Sequence, residues 1–305
     1  MADAPVALPA PVTAPRRKTD DSAGAAPWLL ASPALLLFIG LLLVPLLLTV
    51  LLSFHAFDGA RGVLPDYTWR HYLEVFSDGY YHEIFLRTGG LALGVTFLCV
   101  LFGVPETLIL ARMKSPWRAL FLIVILGPLL ISVVVRTLGW AILFGNHGLI
   151  NSTLMGLGIT SEPVRLLFTM TGVTIALTHV LIPFMVISVW ANLQKLDSQV
   201  ENAGLSLGAS PLKVFWRVMM PQLLPGILSG SIIVFALSAS AFATPALLGG
   251  RKLKVVATAA YDEFLSTLNW PLGATIAMLL LLANVLIILG ANRWVERRFS
   301  QVFEA

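Results

Sequence analysis

Charge is what this 305-residue sequence has least of. Lys, Arg, Asp and Glu together make up 12% of it, about half the share usual in a soluble domain. So few charges cannot cover a water-facing surface of this size, which excludes a soluble enzyme. Apolar residues make up 57% of the chain, which excludes a disordered chain. The net charge is only +4 despite a pI near 9.4, too little for a groove that binds nucleic acid. Cysteine is nearly absent: Cys99 stands alone in an apolar run, so no disulfide or cysteine metal framework forms within one chain. The histidines at 55, 71, 82, 147 and 179 contain no His-x-x-x-His pair. No Gly-x-x-x-x-Gly-Lys-Ser/Thr run occurs, so the chain lacks the usual phosphate-cradling loop for ATP.

What the chain does have is apolar length, with a mean hydropathy of +0.86. About 20 apolar residues cross the hydrocarbon core of a bilayer. Six stretches qualify: Trp28–Phe54, Leu86–Ala111, Leu120–Phe144, Leu166–Ala191, Leu223–Leu248 and Leu272–Ala291. They are too long and too uniform for barrel strands, which alternate over about 10 residues. The first is also too long for the apolar core of a secretory signal. The expected fold is therefore all-α, a six-helix transmembrane bundle. Residues 1–27, rich in Ala and Pro, read as a disordered tail, 28–295 as the membrane domain and 296–305 as a second tail.

Basic flanks orient the bundle. Arg16, Arg17, Lys18, Arg112, Lys114, Arg118, Lys195, Lys213, Arg217, Arg293, Arg297 and Arg298 flank the spans on one side. Arg61, Arg70, Arg87, Arg165, Arg251, Lys252 and Lys254 are spread over longer segments on the other. The positive-inside rule then puts both termini in the cytoplasm. The outer loop 55–85, with Tyr67, Trp69, Tyr72, Tyr80 and Tyr81, reads either as a packed cap or as a small amphipathic helix on the membrane surface. Loop 251–271 reads as a further structured outer element.

One cytoplasmic segment, 192–222, differs in kind. Asp197 or Ser198 suits an N-cap, and Val200, Ala203 and Leu207 form one helical stripe. Gly208 is placed to end that helix in a left-handed conformation. Pro211 suits the first turn of a second short helix, Leu212 to Met220, expected to stop at Pro221. Two short helices around a glycine make a knob suited to docking.

This segment resembles the coupling loop of the permease subunits of bacterial ATP-binding-cassette importers. That family's motif is Glu-Ala-Ala, three residues, Gly, nine residues, Ile, any residue, Leu, Pro. The chain matches at Ala203, Gly208, Val218, Met220 and Pro221, and departs at Asn202 and Gly204. Glu201 sits one residue early, about 100° away around a helix. Ala209 follows the central glycine. The likeness narrows to the spermidine/putrescine type through Gly103-Val104-Pro105, Val135-Arg136-Thr137-Leu138-Gly139-Trp140, Gly148-Leu149-Ile150-Asn151, Leu181-Ile182-Pro183, Phe242-Ala243-Thr244-Pro245 with Gly249-Gly250, and Trp270-Pro271-Leu272-Gly273. The resemblance implies a type I importer permease in the bacterial inner membrane, acting on a small polar solute such as putrescine or spermidine. Two separate ATPase subunits would bind the ATP. A second, different permease subunit and an extracytoplasmic solute-binding protein would complete the complex.

Charges inside a membrane are costly and point to function by default. Arg136 and Glu106 are such residues, each readable as structural or functional. Arg136, Trp140 and Phe242 are the candidates for the translocation path or gate. No acidic residue stands in Ser238–Phe242 to greet a cation, so an amino-acid-like or opine-like solute stays open beside a polyamine. An ion-coupled secondary transporter would not need the Gly208–Pro221 loop. A membrane hydrolase would have only His179 as a base.

Overall fold

The structure of the chain, a computed structural model, describes residues 26–195 and 204–303. Six of the described helical stretches are long and apolar enough to cross a membrane, one of them, Val133–Gly156, being made of two short helices in succession. In chain order the elements are α1 (Leu30–Ser53), the hairpin strands β1 (His55–Asp58) and β2 (Gly62–Tyr67), α2 (Arg70–Ser77) and α3 (Gly79–Arg112). Then follow α4 (Trp117–Leu130), α5 (Val133–Phe144), α6 (Leu149–Gly156) and α7 (Met170–Leu193). The last are α8 (Pro211–Ala239), α9 (Val256–Leu265) and α10 (Trp270–Phe303), which continues well past the expected sixth span. Contacts divide the chain into residues 1–48 and 49–305. Within the first unit, none of the residues from Leu30 to Leu48 is buried.

In the second unit, α3, α7 and α8 pack against one another around Val95, Cys99, Val173, Met185, Leu223 and Val234. Lipid tails are as apolar as leucine, so close backbone approach, not a hydrophobic drive, holds helices together in a membrane. Glycine makes that approach possible here. A Cβ on Gly226 would lie 2.9 Å from the Ser188 carbonyl oxygen, and one on Gly230 would lie 2.8 Å from the Met185 sulfur. These two glycines, four residues apart, form one bare stripe on α8 that receives Met185, Ser188 and Asn192 of α7. Gly103 of α3 accepts Met185 from the other side, at 2.9 Å.

Three expectations are corrected. The stretch Leu120–Phe144 is not one helix: Ile131 and Ser132 are extended, and α4 ends at Leu130 before α5 begins at Val133. With its 14 residues, α4 is about 21 Å long, short of the roughly 30 Å hydrocarbon core. Ile125 of α4 packs with Leu110 and Val186, while Phe144 of α5 lies in the cluster with Val173. The broken helix thus runs along the length of α7. Second, Pro221 does not stop a helix. A π turn, Phe215–Met219, precedes it, the Met220 N–H donates to the Phe215 carbonyl, and the helix continues to Ala239. Proline lacks an N–H and crowds the carbonyl four residues back. Bonding five residues back gives the upstream carbonyls other donors. Third, the fifth span closes at Ala239, not Leu248. Residues 240–242 leave the helix, and Pro245–Gly249 form a separate π turn.

The loop 55–85 is structured throughout and contains the two-stranded hairpin, with Phe57 paired to Val63. Next to it, Phe54 stacks on Tyr72 at 5.1 Å and meets Trp69 edge-on at 4.8 Å. The Ser53 carbonyl accepts a 3.1 Å hydrogen bond from the Thr275 hydroxyl of α10. The N-terminus of α9 is fastened to α3: the Val256 N–H donates to the Thr88 hydroxyl at 2.9 Å, and Arg87 donates to the Lys254 carbonyl at 3.2 Å. The second structured element expected in 251–271 is therefore α9.

Candidate translocation path and docking turn

At one end of the bundle stands the turn around Gly208. Its φ is +81°, a left-handed conformation that glycine adopts without steric cost. The Gly208 N–H donates to the Leu205 carbonyl at 3.0 Å and the Ala209 N–H to the Gly204 carbonyl at 3.2 Å. That pair of bonds is the Schellman helix ending. Ser210 then caps α8, its hydroxyl accepting from the Lys213 N–H, and Pro211 takes the first turn. A Cβ on Gly204 would lie 3.1 Å from the Val214 side chain, so the departure from alanine at this position makes room for a buried valine. Leu207 is 88% exposed, Leu212 68% and Trp216 57%, an apolar rim on a projecting turn. Val218, in the π turn, and Pro221 are half-buried within α8 and not on that rim. Glu201, Asn202, Ala203 and the expected N-cap lie outside the described residues.

The break between α4 and α5 contains Arg136. Its guanidinium donates to the Pro128 carbonyl, one of the last-turn acceptors of α4 that has no helical partner. A cation at a helix C-terminus also meets the negative end of the helix dipole. One face of the structural-or-functional alternative thereby gains a definite content: Arg136 splices the broken helix. One residue on, the Thr137 hydroxyl donates to the Val133 carbonyl at 2.7 Å and lies 3.5 Å from the Thr244 hydroxyl. Thr244 stands in the helical turn that follows the interruption after α8, so the segments just past the two helix breaks meet at a pair of buried hydroxyls. Buried Ser238, in the last turn of α8, has no hydrogen-bond partner for its hydroxyl among the described residues. Trp140 packs on Phe144 at 4.9 Å and edge-on against His179 at 5.4 Å. His179 is thus an aromatic packing partner with no nucleophile assigned to it. Glu106 is half-buried in α3 and stands apart from this group.

Phe242 lies in the break after α8 and is 37% exposed. Its ring is 4.6 Å from that of Tyr261 in α9. Both border a cleft of about 550 Å³ that also contains Lys254, Asp262, Glu263 and Thr267. The Lys254 ammonium is 2.7 Å from an Asp262 carboxylate oxygen, and this hydrogen bond raises the lysine pKa against the opposing effect of burial. The candidates therefore fall into two groups. Arg136, Trp140 and Phe242 gather near the breaks, whereas the Gly208 turn lies at the far end of α8, whose 29 residues rise roughly 40 Å. Sequence reasoning missed Thr137, Thr244 and Tyr261, because single hydroxyls and a lone tyrosine carry no spacing signal.

Several glycines of the spermidine/putrescine-type patterns are positions with no space for a side chain. A Cβ on Gly148 would lie 2.4 Å from the Ile142 and Leu143 carbonyl oxygens, and one on Gly273 2.9 Å from the Phe264 ring. Buried Asn151 clamps the loop after α6, donating to the Gly145 and Val164 carbonyls and accepting from the Val164 N–H.

Residues 22–301 match the family described as binding-protein-dependent transport system inner membrane component, and the chain belongs to that family. It is a permease subunit of an ATP-binding-cassette importer, a multi-pass protein of the bacterial inner membrane and a transport subunit, not an enzyme. The spermidine/putrescine transport system permease protein PotB of Haemophilus influenzae is 31% identical over 84% of this chain and 90% of its own length. Its counterpart from Escherichia coli is 31% identical over 81% and 89%. The molybdenum transport system permease protein ModB of Mycobacterium tuberculosis is 34% identical over 65% of this chain and 73% of its own length. Among solved structures, a chain of the bacterial alginate ABC transporter in complex with its alginate pentasaccharide-bound periplasmic protein superposes with a TM-score of 0.73 at 18% identity. That match covers 90% of this chain and 96% of the other. A chain of the inward-facing methionine transporter MetNI gives 0.55 at 16% identity, over 72% and 98%. These two likenesses speak for the fold.

Proposed function

We propose that the chain forms one half of a polyamine translocation path and is driven through the Gly208 turn by two separate ATP-hydrolysing subunits. The observation that carries the polyamine reading is the pair of PotB relatives, 31% identical over more than four fifths of this chain. ModB matches a shorter part of it. In this reading the segment 192–222 is the coupling loop and faces the cytoplasm with both termini, as the basic flanks predict. Leu207, Leu212 and Trp216 seat against the ATPase, with Glu201, Asn202, Ala203, Gly204, Gly208 and Ala209 completing the contact. Val218 and Pro221 carry its motion into α8. A second, different permease subunit completes the path, and an extracytoplasmic binding protein delivers the solute to the opposite end. The chain holds no cofactor of its own, and ATP is bound by the partner subunits.

The mechanism follows from stiffness. Nucleotide closure of the ATPase pair displaces the docked turn. The close-packed α3–α7–α8 core moves with it, biasing the bundle between two openings. Arg136 and Trp140, beside the breaks, mark where the bundle bends. Labelled putrescine uptake by cells with and without the gene tests the substrate, and uptake unchanged by deletion overturns it. Co-purification of an ATPase with the tagged permease, lost on Leu207→Asp, tests the docking turn.

A further inference from the structure

We propose that the cleft between the end of α8 and α9 receives an alkylammonium group of the solute, with Glu263 and the Phe242–Tyr261 ring pair as its recognition elements. The proposal rests on the polyamine reading and adds residues to it. The cleft, about 550 Å³, is far larger than a water and roomy enough for a linear diamine. Its two carboxylates are in different states. Asp262 is paired with the Lys254 ammonium at 2.7 Å. Half-buried Glu263 accepts only a neutral hydroxyl, Thr267 Oγ1 at 2.6 Å, and no cation is paired with it among the described residues. The Lys254–Asp262 pair is itself an alkylammonium on a carboxylate, so the protein already displays in this cleft the chemistry a substrate amine would use. The exposed rings of Phe242 and Tyr261, 4.6 Å apart, add π faces to which an ammonium group is attracted.

Arg251 also borders the cleft and is exposed. With Lys254 it brings the charge of the four ionic residues to zero, so the site holds a cation weakly. A path needs that property, since it must release what it accepts. The two residues therefore act with opposite sign: Glu263 attracts the amine and Arg251 repels it.

The test uses the complete transporter, with its ATPases, second permease and binding protein, in proteoliposomes supplied with radiolabelled putrescine. Glu263→Gln is expected to lower the putrescine imported per ATP hydrolysed by roughly two- to fivefold, the scale of one exposed ionic or cation–π contact. Arg251→Gln is expected to raise it, while ATP hydrolysis stimulated by the loaded binding protein is unchanged in both. A merely structural role would not give opposite signs. If the unaltered complex imports putrescine and both substitutions leave the ratio where it was, the cleft assignment alone is overturned. If the unaltered complex imports no polyamine, the substrate reading fails and takes this assignment with it.

Discussion

The helical backbone is disturbed both beside Pro221 and after Pro128, and the chain handles the two places in different ways. In α8 the interruption at Pro221 is absorbed by the π turn Phe215–Met219, and the helix runs on. Between α4 and α5, just after Pro128, the backbone becomes extended at Ile131 and Ser132, and a side chain repairs the gap through Arg136. The difference lies in where the orphaned carbonyls find donors. A π turn finds them in the helix's own backbone, so the helix stays continuous from the Gly208 end onward. A full break needs an outside donor within a membrane, where an unsatisfied carbonyl costs several kcal/mol. The bond that repairs it is then a single point at which the bundle can bend.

Substitutions can break this comparison, beginning with Arg136→Met. It leaves the Pro128 carbonyl without its donor and should cost about 1–3 kcal/mol, read as a lower unfolding midpoint in detergent. Arg136→Lys should recover part of that loss, and a midpoint equal to the wild type for Arg136→Met would show that the break needs no repair. Gly208→Ala comes next. It forces a side chain into a left-handed turn and should cost about 1 kcal/mol, with a larger fall in uptake than in ATP hydrolysis. Thr137→Val removes the hydroxyl that joins α5 to the turn after the α8 break at 3.5 Å and should cost about 0.5 kcal/mol. Uptake measured over a temperature series checks whether the breaks move together. Smallest of all is Pro221→Ala, expected within about 0.5 kcal/mol of wild type because the π turn has already supplied the donors. A loss clearly above that in the same assay would show that the proline itself holds the π turn in place.

The patterns read from the sequence vary in how far they reached. The membrane spans and the Gly208 turn were legible because both rest on local rules: apolar length against bilayer thickness, and glycine's freedom at positive φ. Pro211 takes the first turn of α8 as expected, behind an N-cap at Ser210 that only the structure revealed. Pro221 was read as a stop because proline ends helices locally, and the π turn that rescues it depends on bond register over several residues. The break at Ile131–Ser132 was hidden inside an unbroken apolar run. Hydropathy reports the solvent a residue faces and is blind to whether its carbonyl has a partner.

The site divides the same way. Composition and apolar length alone assigned the chain to the membrane, and the resemblance carried by the spacing from Gly208 to Pro221 marked the loop proposed to dock the ATPase. The partner of Arg136, the hydroxyl contact of Thr137 with Thr244, and the cleft that joins Phe242 to Tyr261 and Glu263 belong to tertiary structure. Each brings together residues from different elements, and such meetings depend on how the glycines of α8 and Gly103 of α3 set the approach to α7. A one-dimensional pattern can state which residues face lipid, because the bilayer is the same for every span. Which residues meet inside is decided by packing, where the partner differs at every position.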